Sequence, residues 1–187
     1  MVLYLDTHLD DIVIILFKDN KIYKKQIISS EKQNSKLIMP SIKKILGNSK
    51  PESIIVCNGP GSFTGVRLGV TIAKTLAYTL NISIKTITSL ESFAVSTITD
   101  SNKLVTIPDL KGKYIGYFNK NNNLLEDLKY LKNDEYSIYI KDKEKYLIQN
   151  IKLDLELIYD YLKNAENIHP HIVNPIYIKG IDVLNGK

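Results

Sequence analysis

Residues 53–80, SIIVCNGPGSFTGVRLGVTIAKTLAYTL, constrain the fold more than any other stretch of the chain. SIIVC is apolar and β-branched at most positions, so it reads as an interior strand buried on both faces of a sheet. A glycine-rich turn follows, and then a helix to about Leu80. Val66, Val70, Ala73, Ala77 and Leu80 share one face of that helix, and Gly65, Gly69, Ile72 and Leu76 share the next. Arg67, Thr71, Lys74 and Tyr78 are left as a polar stripe. A helix apolar over so much of its circumference is covered on two sides. The sheet supplies one cover. Gly65 and Gly69, each costing ~1 kcal/mol in a helix interior, let a second helix approach the other side. That helix comes from this chain or from another subunit.

The turn itself, GPGSFTG at 59–65, admits three chemical readings, and its spacing fails all of them. A phosphate-binding P-loop needs G-x-x-x-x-G-K-[ST], but the place of the second glycine is taken by Thr64. A dinucleotide fingerprint needs G-x-G-x-x-G; Gly59 and Gly61 fit, while Gly65 arrives one residue late. A nucleophile elbow needs glycines two before and two after the serine, where Ser62 has Pro60 and Thr64. Free N–H groups at the start of the helix still offer an anion a place, with Ser62 as N-cap and Thr64 in reserve. A tight strand-to-helix turn is the plainer reading.

Around this unit the pattern alternates. Strands are expected at 2–5, 12–17 and 22–28, the last two joined by the polar turn KDNK, as an antiparallel meander. After the polar stretch SSEKQNS, the spacing of Leu37, Ile38, Ile42, Ile45 and Leu46 is helical and ends at Gly47. A strand at 82–87, a helix opened by the capping box Thr88/Glu91, and a strand at 104–107 complete the run. The order β-β-β-α-β-α-β-α predicts an α/β domain on a mixed sheet. Beyond Pro108 the signal weakens to a hairpin arm, a short strand in YSIYI and a helix over 153–162.

Composition limits the function classes. With 187 residues, 44% hydrophobic and 24% charged, the chain is an ordinary globular sequence. Its one cysteine, Cys57, excludes an internal disulfide framework and fits a reducing compartment. The first residues lack a cationic leader, and no apolar run nears the ~20 residues that span a bilayer. A cytoplasmic location without membrane contact is expected. The net charge of +5 hints at a polyanionic partner, against which stands the Lys, Asn, Ile and Tyr bias of an AT-rich genome.

The string NGPGSFTGVRLGVTIAKTLA, with LDTHLDDIVIIL at 5–16, TSLESFA at 88–94 and PIYIK at 175–179, resembles the TsaB family. The resemblance covers residues 2 to about 110 well. It implies an actin-like, sugar-kinase and Hsp70-type fold of two related α/β lobes. Residues 1–107 would form the first lobe with the dimerisation helices, and 108–187 a shortened second lobe whose end returns to the first. It also implies a non-catalytic subunit in the synthesis of threonylcarbamoyladenosine in tRNA. The partners would be a TsaD-like transferase and a TsaE-like ATPase, with tRNA reached through the complex and self-association when alone. The paired helices match 35–47 and 63–80, which puts Leu37, Ser41, Ile45, Gly65, Gly69, Ile72 and Leu76 at the partner surface. The transferase's metal-binding histidine pair has no counterpart in NSKLIMPSIKKI, so no catalytic residue and no cofactor is expected. The second lobe departs as well, with Asp109-Leu110-Lys111 and Gly112-Lys113-Tyr114-Ile115 where Asp-Ala-Arg and Glu-Val-Tyr are usual.

Against this stands an active nucleotide-binding ATPase or kinase of the same fold. Its site would use Asp6 at the end of the first strand, with Gly59, Gly61, Ser62, Thr64 and Arg67; in a degenerate member the same residues are a remnant. A glycoprotease finds no Ser/His/Asp or metal arrangement. His8 is one of three histidines. His169 and His171 lack further ligands nearby in sequence, and no metal site is expected. Cys57 reads as a small buried hydrophobe, and Asp10 and Asp11 as solvated turn residues.

Overall fold

A computed structural model describes residues 1–9, 11–29, 35–149 and 152–179. Two sheets organise them. The first has five strands in the order β3-β2-β1-β4-β5. The meander β1 (Val2–Asp6), β2 (Ile12–Lys18) and β3 (Lys21–Ile28) is antiparallel, and Asp19 and Asn20 turn its tight hairpin with positive φ. β4 (Ser53–Cys57) runs parallel to β1, and β5 (Ser83–Ile87) parallel to β4. All five residues of β4 are buried, as its unbroken apolar run requires.

Side-chain alternation sends the two faces of this sheet into different cores. Leu3, Leu5, Ile14, Leu16, Ile54 and Val56 pack under α1 (Ser35–Leu46) and α2 (Phe63–Leu80). Tyr4, Ile15, Phe17, Ile55 and Cys57 pack under α5 (Leu155–Leu162). The two helices expected as a pair therefore lie on one face, α1 over β2 and β3, α2 over β1, β4 and β5. Gly47, at φ +57°, ends α1, and its N–H donates to the Lys43 carbonyl.

α3 (Ser89–Val95) opens on the capping box formed by Thr88 and Glu91. It covers the second sheet, an antiparallel β6 (Lys103–Asp109), β7 (Gly112–Phe118) and β8 (Leu124–Lys132). Leu90 and Ala94 of α3 meet Val105, Ile107 and Phe118 there. Lys103 is almost wholly buried and donates to the Ala94 and Thr97 carbonyls and to Asn122 Oδ1, closing the C-terminal end of α3.

One expected element differs. YSIYI lies in a helix, α4 (Asn133–Tyr139) and the residue after it, where a strand was expected. The carboxylate of Glu135 accepts the Lys132 N–H, and Asp134 and Glu135 fill the first turn, so the local chemistry opens a helix directly after β8. The polar stretch at 29–35 and Asp10 fall wholly or largely outside the described residues.

Candidate functional site

The C-terminal ends of β1 and β4 meet beside each other, and both chains turn there. The loop after β1 brings Thr7 and His8 against the glycine turn after β4. Gly65 and Gly69 are spent on this approach. A Cβ on Gly65 would sit 2.1 Å from the Thr7 carbonyl oxygen, and one on Gly69 2.3 Å from Thr7 Oγ1. The Thr7 hydroxyl in turn donates to the Gly65 carbonyl at 2.6 Å. This corrects the expectation that these two glycines smooth a face for another helix; the close neighbour is this chain's own β1 loop. Ser41 and Ile45 also turn inward and are buried, leaving Leu37 as the exposed member of that set, with Ile72 and Leu76 half-buried.

Beneath the glycine turn sits a buried polar cluster. Asp6 accepts three hydrogen bonds: from the His8 N–H at 3.0 Å, from His8 Nδ1 at 2.5 Å and from the Tyr4 hydroxyl at 3.0 Å. Cys57 Sγ lies 3.3 Å from the same Nδ1 and accepts the Gly59 N–H. Burial works against charge on Asp6 and on His8, but the opposite charge beside each outweighs it. The Asp6 carboxyl is held below the usual carboxylate range and the His8 imidazole well above its ordinary value. Burial pushes the Cys57 thiol up, so it is not a ready nucleophile. His8 Nε2 and Asn58 Oδ1 are buried without a partner.

A cleft of about 1220 Å³ opens between the two sheets above this cluster. His8, Gly61 and Ser62 line it on one side, Asp109 and Tyr114 on the other, with Lys179 at its rim. Ser62 caps α2, its hydroxyl accepting the Gly65 N–H at 3.3 Å. Of the six residues expected to hold a nucleotide, Gly61 and Ser62 line the cleft. Asp6, Gly59, Thr64 and Arg67 do not. Asp6 is committed to its internal hydrogen bonds. Gly59 takes φ +98° against Val66 and the Ile176 carbonyl, and Arg67 lies over the Phe63 ring at 5.1 Å, facing a separate shallow groove.

The C-terminal segment walls the cleft. Ile176 donates its N–H to the Asn58 carbonyl, Asn58 Nδ2 donates to the Asn174 carbonyl, and Lys179 Nζ reaches Asp109 Oδ2 at 2.7 Å. The Lys179 ammonium holds the Asp109 carboxyl below its ordinary range. These contacts join residues 70 or more positions apart, which no local pattern in the sequence announces. The quoted string PIYIK marks the segment without saying where it docks.

Comparison with known proteins adds the decisive observation. The family model described as TsaD, tRNA N6-adenosine threonylcarbamoyltransferase, matches residues 21–111. The tRNA threonylcarbamoyladenosine biosynthesis protein TsaB of Bacillus subtilis is 34% identical over 134 residues, 68% of this chain and 58% of that protein. Its namesake from Buchnera aphidicola of Schizaphis graminum is 30% identical, over 67% of this chain and 63% of that protein. The chain belongs to the TsaB family.

The matched stretch spans under two thirds of the length of these two TsaB proteins. Two solved structures share the fold. A Pseudomonas aeruginosa protein described as similar to peptidase YeaZ superposes with a TM-score of 0.76 at 15% identity, covering 95% of this chain and 99% of that one. YeaZ from Pseudomonas aeruginosa gives 0.70 at 15% identity, over 94% and 98%. The fold is the actin-like α/β fold with a mixed sheet that the TsaB resemblance implies. No helix among the described residues is long and apolar enough to cross a membrane.

Proposed function

We propose that this TsaB-family chain is a non-catalytic assembly subunit in the synthesis of threonylcarbamoyladenosine in tRNA, pairing with a TsaD-like transferase and supporting recruitment of a TsaE-like ATPase. The observation that carries this reading is the 34% identity to a TsaB protein named for that pathway. The placement of α1 and α2 side by side on one sheet face supports it, because two adjacent helices can join two from a partner in a bundle. The pairing surface is the outer flank of that helix pair. Leu37 is exposed there, and Leu68, Ile72 and Leu76 are half-buried. Alone, the chain pairs with itself through the same flank. The second sheet, together with the segment that returns to the cleft, serves as the reduced second lobe, and tRNA is reached through the complex, in the cytoplasm.

Size-exclusion chromatography with the cognate TsaD-like protein tests the surface. Leu37→Asp should leave folding unchanged and weaken the complex at least about ten-fold, since burying an unpaired charge costs several kcal/mol. A complex of undiminished affinity would remove this flank from the interface. An active ATPase of the same fold is the second reading, and the cleft favours it. The commitment of Asp6 to His8 and Tyr4 stands against it. Titration calorimetry with Mg-ATP decides: heat that saturates at micromolar nucleotide would establish the ATPase reading.

A further inference from the structure

The buried cluster below the glycine turn has the makings of a cation site. Asp6 ends β1, His8 follows two residues later and Cys57 ends β4, and these strands are parallel neighbours. Their ligand atoms, a carboxylate oxygen, an imidazole nitrogen and a sulfur, all lie within 4.8 Å of one another. We propose that Asp6, His8 and Cys57 bind one borderline-soft divalent cation, zinc or its cobalt surrogate, which ties the β1 loop to the base of the glycine turn. This inference stands independently of the proposed pairing function.

Four observations support it. The donor set is one that zinc accepts, whereas magnesium and calcium call for oxygen ligands and would leave the sulfur unused. The separation of His8 Nδ1 and Cys57 Sγ is 3.3 Å. Two such ligands on a tetrahedral zinc, with bonds of about 2.0 and 2.3 Å, stand about 3.5 Å apart. The 2.5 Å between Nδ1 and Asp6 Oδ1 would have to widen by under about 1 Å, within reach of a side-chain rotation. Moreover, Nδ1 carries at most one proton and faces two acceptors, so a hydrogen bond to Asp6 leaves the sulfur without it. A cation at that point satisfies all three.

The outer shell is already in place. The Tyr4 hydroxyl donates to the far oxygen of Asp6, and the Gly59 N–H donates to Cys57 Sγ. Such second-layer donors orient metal ligands and steady their charge. Three protein ligands leave a fourth position for water, and His8 lines the cleft through which an ion would enter. Binding would release the protons of His8 Nδ1 and the Cys57 thiol to solvent.

The test is cobalt titration of the full chain after chelator treatment. One equivalent should bind and produce the near-ultraviolet thiolate-to-cobalt charge-transfer band. Cys57→Ser should abolish the band and weaken binding at least about ten-fold. The double variant His169→Gln, His171→Gln, which removes the exposed imidazole pair, should keep the band. Absence of the band in the wild type, its survival in Cys57→Ser, or its loss in the double variant would overturn the proposal. Where Cys57→Ser does not fold, alkylation of Cys57 in the wild type under mild urea decides. Zinc should slow the labelling several-fold, and equal rates with and without zinc would refute the site.

Discussion

At the residue scale, Thr7 explains both glycines of the α2 flank, and it explains them differently. A Cβ at 69 meets the Thr7 side chain, whereas a Cβ at 65 meets its carbonyl oxygen. Gly69→Ala should therefore cost about 1–3 kcal/mol, as overpacking does. Thr7→Ala should recover much of that loss. Gly65→Ala should cost at least as much and gain nothing from Thr7→Ala, because backbone has to move. Urea denaturation of the single and double variants checks both, and equal rescue at the two positions would contradict the geometry. The glycines were legible in the sequence as sites of close approach. What approaches them was not, since Thr7 is about sixty positions away and nothing local ties it to α2. His8 was equally hidden, as a lone histidine in a loop until β1 and β4 pair and set it between Asp6 and Cys57.

At the scale of elements, Lys103 joins a strand to a helix. Its ammonium satisfies two carbonyls at the end of α3 from within a nearly closed site. Lys103→Met keeps the apolar stem and leaves those carbonyls unpaired, so stability should fall by about 1–3 kcal/mol. Chemical denaturation measures it, and an unchanged midpoint would show that the cap contributes nothing. In the second sheet, hydrogen bonds from Lys129 first, then from Tyr139 and Lys143, bring the Glu126 carboxyl down to about 2. A carboxyl whose folded value lies below its unfolded one stabilises the fold above the unfolded value. That contribution is present above pH about 4.5 and fades as pH falls toward about 2. Glu126→Gln should flatten the acid limb of the stability profile over that window, and an identical limb in the variant would contradict the assignment. The first sheet was readable because its strands and helices carry clean periods and caps. The second was not: β8 mixes charged and apolar residues, and the tyrosines and isoleucines of YSIYI suggested a strand. The acidic first turn at Asp134 and Glu135 outweighed that propensity.

At the scale of the whole molecule, two sheets enclose a cleft whose wall is the returning C-terminal segment. Lys179, through Asp109, ties that segment to the second sheet. Lys179→Met should loosen the segment, seen as faster amide exchange at Ile176, whose N–H donates to Asn58. Unchanged exchange would make the ion pair incidental. Of the six nucleotide residues expected from sequence only Gly61 and Ser62 line this cleft, and the helix pair leaves Leu37 exposed on its outer flank. The proposed function assigns the chemistry to a partner, a TsaD-like transferase, and gives this chain a supporting role. The most direct measurement of that claim is threonylcarbamoyladenosine formation on tRNA by the cognate TsaD-like transferase, reconstituted with and without this chain. The account predicts little product without it and restored product with it, undiminished by Arg67→Ala, a change at one of the expected nucleotide residues. Full product from the transferase without this chain would contradict the account.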